Sequence, residues 1–227
     1  MKIGMIVAIM SEMKQLLNKY GSSMTEIKKN GYTIYHCQIK ENDIYVAQSG
    51  AGEIGAAAVA QLLITAFDVE LIVNYGVVGG LTEESKLSET TIVKDIVHYA
   101  YDTSEYDHCE VGRYLEFEGV HIPTTKKYVD LALCLHPELR AVSCASADKF
   151  VSLGTEKRSI AEQFSCDICD MESAGIVLTC TRNQVDCLLV KAVSDSVDGG
   201  AEEFGKMVEH SAQICMNILM GILENIA

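Results

Sequence analysis

Three carboxylic acids lie where predicted secondary-structure elements meet. Glu12 follows the first apolar run of the chain, Glu172 lies at the start of a predicted helix, and Asp195 ends the apolar run 187–195. That run has the near-continuous apolar pattern of a strand buried on both faces of a parallel sheet, and ligands bind beyond the carboxyl ends of such strands. Two carboxyl groups beside one substrate can act as acid and base. Taken singly, each is better explained by helix capping or by solvation.

Two glycine-containing segments also follow predicted strands. Backbone amides of residues 49–52 and 76–80 could approach a phosphate or a ribose. Neither segment has the glycine spacing of a dinucleotide-binding fingerprint or of a P-loop, so the sequence does not support a nucleotide cofactor. A tight turn explains these glycines as well as close approach of a ligand does.

An alternation of strands and helices must position these residues. Apolar runs predict strands at residues 2–9, 33–39, 43–48, 71–74, 91–100, 141–147 and 187–195. Helical spacing of apolar residues predicts helices at residues 12–19, 55–66, 125–135, 155–164, 170–183 and 202–226, with Ser11 capping the first. This order predicts an α/β fold. Because the chain has two prolines and no linker-like stretch, we expect a single domain of residues 1–227.

Charge and cysteine content exclude several classes of protein. The 227 residues carry a formal net charge of −14 with scattered Lys and Arg, which argues against nucleic-acid and anionic-membrane partners. The apolar residues 1–10 are too short to span a bilayer and fit a core strand. We expect the nine cysteines to be reduced thiols of a cytoplasmic protein. The pair Cys166 and Cys169 lacks a second ligand pair, so we expect structural thiols and no metal site.

Six short segments, taken together and in this order, carry a resemblance to a known family. They are 8–12 (AIMSE), 49–52 (SGAG), 76–81 (GVVGGL), 146–151 (SADKFV), 170–174 (DMESA) and 193–195 (VSD). The series resembles the purine nucleoside phosphorylase/nucleosidase superfamily, and most closely the 5′-methylthioadenosine/S-adenosylhomocysteine nucleosidases. The resemblance implies a single-domain, three-layer α/β/α fold with a central mixed, partly barrel-like twisted sheet. It also implies a homodimer that cleaves a small-molecule purine nucleoside without a cofactor.

The resemblance assigns a role to each matching residue. Asp195 would protonate the purine at N7, Ser194 would orient Asp195, and Glu12 would act as general base on the attacking water. Glu172 would bind the ribose hydroxyls and favour a cationic sugar in the transition state. The remaining residues that the resemblance places around the substrate are Met171, Phe150, Val151, Ile9, Ala51 and Val77.

Departures from the family pattern leave alternatives open. Val77 stands where these nucleosidases usually have a serine, and Lys191 stands where they usually have an arginine. The usual aromatic over the 5′ group is missing near Ala201, although Phe204 is close in sequence. From the resemblance we predict hydrolysis of methylthioadenosine or adenosylhomocysteine. A phosphate-dependent phosphorylase that uses Arg113, or a weakened nucleoside-binding homologue, is the alternative.

Overall fold

Ten strands form one mixed sheet in the computed structural model, which describes residues 1–226. The strands are β1 (Lys2–Val7), β2 (Thr25–Lys29), β3 (Tyr32–Ile39), β4 (Asn42–Gln48), β5 (Leu71–Gly80), β6 (Thr90–His98), β7 (Ile122–Pro123), β8 (Arg140–Ser146), β9 (Ile168–Asp170) and β10 (Asp186–Asp195). Parallel pairs join β4, β1, β5 and β10 in that order, which brings the carboxyl ends of these four strands to one edge.

Five of the strands close into a ring. From β5 the hydrogen bonds pass to β10, β6, β8 and β9, and then return to β5. One edge of β5 pairs with β1 over residues 71–74 and with β9 at residues 79–80, so the sheet branches at this strand. Strands β1, β4, β3 and β2 extend away from the branch, and β7 pairs with β6. The predicted barrel-like mixed sheet is confirmed.

Helices cover both faces of this sheet. They are α1 (Met10–Tyr20), α2 (Glu53–Phe67), α3 (Ser104–Asp107), α4 (Lys126–Leu135), α5 (Gly154–Phe164), α6 (Ser173–Asn183) and α7 (Ala201–Leu223). One hydrophobic core packs α1, α4 and α7 against the sheet, and a second packs α2 and α6 against it. Among residues 1–226, no helix has the length and apolar character needed to cross a bilayer.

The position of β10 between two hydrophobic cores explains why its sequence is apolar almost throughout. Leu188 and Val190 belong to the core beneath α1, α4 and α7, whereas Leu189 and Val193 belong to the core beneath α2 and α6. Side chains alternate between the faces of a strand, so a strand covered on both faces loses the usual polar alternation. The prediction of a strand buried on both faces is confirmed.

Several predicted boundaries are wrong. Helix α1 begins at Met10, and its N-cap residue is Ile9 rather than Ser11, because the Glu12 carboxylate accepts the Ile9 N–H. The segment 76–80 is not a loop but the second half of β5, because β10 and β9 pair with it. Residues 168–170 form β9, so α6 begins at Ser173 and not at Asp170. The polar strand β2 was not predicted, because only Ile27 in it is partly buried.

Candidate active site

One cavity lies at the carboxyl ends of β1, β5, β9 and β10. All ten residues that the sequence assigned to a site line it, which are Ile9, Glu12, Ala51, Val77, Phe150, Val151, Met171, Glu172, Ser194 and Asp195. Segments from six parts of the chain converge here because the parallel strands end at the same edge. The lining is mostly apolar, with a few carboxyl groups, as in a pocket for a small organic ligand.

Asp195 is the last residue of β10 and is 1% exposed. Its Oδ1 lies 3.0 Å from the Ser194 hydroxyl oxygen, and its Oδ2 lies 2.5 Å from the Lys157 ammonium nitrogen. Burial raises the pKa of Asp195, while hydrogen bonding to Lys157 and Ser194 limits the rise. A buried carboxyl with a raised pKa can hold a proton for delivery to a substrate.

Glu12 lies in the first turn of α1 and is 2% exposed. Its Oε1 accepts the Val77 N–H at 2.8 Å, and its Oε2 accepts the Ile9 N–H at 3.1 Å. Burial raises the pKa of Glu12, and these two backbone hydrogen bonds oppose the rise. The carboxyl group is therefore held in a fixed orientation and suits a general base. Because Val77 holds Glu12 through its backbone, the missing side-chain hydroxyl does not release this carboxylate.

Glu172 is the N-cap residue of α6 and is 7% exposed. Its Oε1 accepts the Gly52 N–H at 2.9 Å, so the segment 49–52 positions this carboxyl group. Burial and the neighbouring Asp170 raise the pKa of Glu172 to about 7. A carboxylate fixed in this way can accept two hydrogen bonds from neighbouring hydroxyl groups.

A buried polar cluster supports Glu172 from behind. Lys191 donates to Asp170 Oδ2 at 2.6 Å, and both side chains are almost completely buried. Burial alone would raise the pKa of Asp170, but Lys191 and the hydroxyl groups of Ser146 and Ser173 hold it below its ordinary value. Asp170 Oδ1 in turn accepts the backbone N–H of Ser173 at 3.2 Å. The Lys191 ammonium group is thus paired with Asp170, which lies two residues before Glu172.

The hydrogen count in this cluster shows which carboxyl group is protonated. The Ser146 hydroxyl oxygen lies 2.5 Å from Glu53 Oε1 and 2.6 Å from Asp170 Oδ1, and it also accepts the Ala174 N–H. A serine hydroxyl carries one hydrogen, so it can donate to only one of the two carboxyl groups. Asp170 is ionised beside Lys191, and therefore Glu53 must carry the other hydrogen. Burial and Asp170 accordingly raise the pKa of Glu53 to about 8.

Apolar side chains form most of the rest of the cavity wall. Phe150 and Phe204 meet edge to face with ring centroids 5.4 Å apart, and both line the cavity. Phe150 is 42% exposed, so this aromatic pair lies at the rim of the cavity. Phe204 thus places an aromatic ring at the site although position 201 is alanine. Arg113 lies in the segment between β6 and β7 and does not line the cavity.

Two charged residues that support the site from outside, Lys157 and Glu53, were not predicted from the sequence. Lys157 and Glu53 are buried although each is a charged residue at the start of a helix, and the neighbours of Lys157 in sequence are polar. Neither position has a local signal, because burial here is decided by how α5 and α2 pack against distant strands. Within residues 1–226, no group of three or more His, Cys, Asp or Glu side chains is placed to hold a metal ion.

The fold and this carboxylate-lined cavity define a phosphorylase-like α/β protein. A family model described as the phosphorylase superfamily matches residues 2–224, and the chain belongs to that family. Among similar proteins are an aminodeoxyfutalosine nucleosidase of Campylobacter jejuni, 28% identical over all of both chains, and a 5′-methylthioadenosine/S-adenosylhomocysteine nucleosidase of Haemophilus ducreyi. The latter is 26% identical over 99% of this chain and 98% of its own.

Solved structures show the same fold. The native futalosine hydrolase of Helicobacter pylori strain 26695 superposes with a TM-score of 0.93 and 25% identity, covering 99% of this chain and 98% of that chain. A 5′-methylthioadenosine/S-adenosyl homocysteine nucleosidase of Campylobacter jejuni superposes with a TM-score of 0.90 and 28% identity over all of both chains. The resemblance drawn from six short segments is confirmed over nearly the whole chain.

Proposed function

We propose that this protein hydrolyses the N-glycosidic bond of a purine nucleoside that carries a substituent at its 5′ position. The observation that carries this proposal is the convergence of Glu12, Glu172 and Asp195 in one cavity, each buried and each held by different partners. An N-glycosidic bond breaks more easily when the departing base is protonated and the sugar cation is stabilised. Three carboxyl groups with separate roles meet these requirements.

The proposed mechanism assigns one step to each carboxyl group. Asp195 donates its proton to N7 of the purine, so the base leaves as a neutral molecule. Glu12 accepts a proton from water as the water attacks the sugar carbon. Glu172 binds the ribose hydroxyl groups, and its negative charge favours the positive charge that develops on the sugar. An acid and a base on opposite sides of the sugar parallel the arrangement of inverting glycosidases.

The cavity supports water as the nucleophile better than it supports phosphate. A phosphate ion is usually held by arginine, whose planar group binds two oxygens at once. Among residues 1–226, the cavity lining contains no arginine, and its only basic side chain, Lys149, is paired with Glu156 on the surface. Lys191 lies behind the site and is paired with Asp170.

The 5′ substituent is the finer part of the proposal. The apolar rim with Phe150 and Phe204 suits the 5′ thioether that 5′-methylthioadenosine and S-adenosylhomocysteine share better than it suits a 5′ phosphate or a free hydroxyl group. We therefore propose 5′-methylthioadenosine and S-adenosylhomocysteine as substrates. Aminodeoxyfutalosine is the second candidate, because the Campylobacter jejuni relative named for it is 28% identical over the full length.

Release of the free purine base from a panel of nucleosides tests this proposal. The panel contains methylthioadenosine, adenosylhomocysteine, aminodeoxyfutalosine, adenosine and inosine, each assayed with and without phosphate. We expect phosphate-independent release that is fastest from a 5′-substituted nucleoside. Release that requires phosphate would move the protein to the phosphorylases and make Arg113 the residue to test. Tight adenine binding without any release would indicate a nucleoside-binding homologue instead.

A further inference from the structure

A buried cation contacts the proposed general acid from behind. Lys157, the fourth residue of α5, is 0% exposed. Its ammonium group lies 2.5 Å from Asp195 Oδ2 and 2.6 Å from the carbonyl oxygen of Ser196. A buried ammonium group needs hydrogen-bond acceptors, and the Asp195 carboxyl oxygen and the Ser196 carbonyl oxygen supply two here, so Lys157 and Asp195 are held together in the folded protein.

The backbone of β5 leaves room for this contact. A Cβ atom on Gly79 would lie 3.2 Å from Asp195 Oδ2, 3.2 Å from Cys169 Sγ and 3.4 Å from the Lys157 ammonium nitrogen. These distances are tighter than ordinary van der Waals contact. Because Gly79 has no side chain, Asp195 of β10 and Lys157 of α5 can approach each other beside the backbone of β5.

The contact with Lys157 makes the two oxygens of Asp195 unequal. Lys157 occupies Oδ2, whereas Oδ1 contacts only the Ser194 hydroxyl group, which lies at 3.2 Å from a second acceptor, the Val78 carbonyl oxygen. The Ser194 hydrogen can serve that carbonyl, which leaves Oδ1 free to carry a proton toward the cavity. A fixed carboxyl plane with one free oxygen is what directional proton transfer requires.

The charge of Lys157 matters more as the reaction proceeds. When Asp195 gives its proton to the purine, a negative charge appears on a carboxyl group that is 1% exposed. An ammonium group already in place at Oδ2 stabilises this charge without reorganisation. The other titratable groups that face Asp195 are Glu203 from α7 and Cys169 from β9, and neither offers a positive charge.

We propose that Lys157 is a positioning residue for the acid of the reaction: it holds Oδ2 of Asp195, leaves Oδ1 to face the purine, and stabilises the carboxylate that remains after proton transfer. This proposal rests on the proposed nucleosidase function. Lys157 touches no substrate and acts only through Asp195.

The pH profile of Lys157→Met tests the proposal. Loss of a cation at this distance raises the pKa of the remaining carboxyl group. We expect the alkaline limb of kcat/KM to move to higher pH by roughly one unit or more. We expect kcat at neutral pH to fall by up to about 10²-fold, because the carboxyl group loses its orientation and its counter-charge. The matched control is Arg158→Met, which removes the next cation of α5, paired on the surface with Asp198 and Glu83. The control should keep the wild-type profile.

A second substrate separates proton donation from general damage to the site. 4-Nitrophenyl β-D-ribofuranoside has a leaving group that needs no protonation, so Lys157→Met should slow its hydrolysis much less than purine release. In an Asp195→Asn background, Lys157→Met should have little additional effect on purine release. Equal losses on both substrates, or an alkaline limb that does not move, would overturn the proposal.

Two controls keep the outcomes distinct. If Lys157→Met does not fold, Lys157→Gln removes the charge but retains an N–H donor, and the same shift of the alkaline limb is expected of it. Circular dichroism and thermal unfolding establish which variant to assay. If the wild-type protein releases no purine base from any nucleoside, the proposed function fails, and this failure is seen before any variant is made.

Discussion

At the scale of single residues, the site separates three carboxyl groups by what holds each of them. Asp195 contacts the Lys157 ammonium group, and Glu12 contacts two backbone N–H groups. Glu172, at the start of α6, accepts the N–H of Gly52. All three are buried, and burial raises the pKa of each. The proposed roles, one proton donor, one proton acceptor and one sugar-binding group, follow from these different partners.

Replacement of Asp195, the proposed proton donor, should slow the reaction without abolishing substrate binding. We expect Asp195→Asn to lower kcat for purine release by roughly 10²–10⁴-fold, the usual contribution of one acid–base group. Steady-state kinetics on the best nucleoside of the panel provide the measurement. Asp198→Asn, an exposed residue of the next turn, is the control. Unchanged kcat in Asp195→Asn would remove this residue from the mechanism.

Substitution of Glu12 should affect hydrolysis and adenine binding differently. Glu12→Gln keeps the size of the side chain and one acceptor oxygen for the Val77 N–H, but it removes the base. We expect hydrolysis to be abolished while adenine still binds, as measured by isothermal titration calorimetry. Loss of adenine binding together with activity would show that Glu12 is needed for the structure of the site and not as a base.

At the scale of elements, helices α2 and α6 carry two of the site segments and pack closely. A Cβ atom on Gly175 of α6 would lie 2.4 Å from the Glu53 carbonyl oxygen of α2. The Gly175 N–H also donates to the Glu53 carboxyl group. The position of Glu172, one turn earlier, thus depends on the absence of a side chain at position 175.

Gly175→Ala should therefore destabilise the protein by about 1–3 kcal/mol, the usual cost of overpacking. The matched control is Gly205→Ala in α7, where a Cβ atom would meet nothing within 4 Å. Because alanine is the better helix former, that control should gain roughly 0.5–1 kcal/mol. Urea unfolding monitored by circular dichroism measures both changes. A neutral result at position 175 would mean that α2 and α6 can move apart.

Periodicity predicted the long elements of this fold but not the short ones. β10, α7 and the pair β3 and β4 have enough apolar residues in register to be recognised, whereas β9 has three residues and β2 is nearly all polar. The ten predicted site residues came from the family resemblance of six sequence segments, and they lie together because the sheet brings the ends of those elements to one cavity. Lys157 and Glu53 could not be found, since their burial depends on contacts with residues 38 and 93 positions away.

At the scale of the whole molecule, the protonated Glu53 links stability to pH. The pKa of Glu53 is about 8 in the folded protein and 4.5 without the fold, so the folded state binds this proton more tightly. The stabilisation is complete below pH 4.5 and is lost as the pH rises through 8. Glu172, with a pKa of about 7, acts in the same direction.

We expect the free energy of unfolding to decrease between pH 5 and 8, with Glu53 contributing up to about 1.4 kcal/mol per pH unit. Glu53→Gln should flatten this dependence, because an amide can donate to Ser146 at every pH. Urea unfolding at three pH values measures the slope. Glu41→Gln, which removes a charge from an exposed turn, should keep the wild-type slope. Equal slopes in Glu53→Gln and wild type would mean that Glu53 is ionised in the cluster.

The closed ring of five strands has a consequence for biosynthesis. β5 ends at residue 80, yet its partner β10 begins at residue 186, so more than a hundred residues must be translated between them. Until β10 has been translated, β5 and β6 each lack a pairing partner, because β10 lies between them in the ring. The contact between Asp195 and Lys157 forms only after this strand is inserted. A ribosome-bound chain that ends before β10 therefore has exposed strand edges and no assembled site, and chaperones that bind such edges would act mainly in this interval.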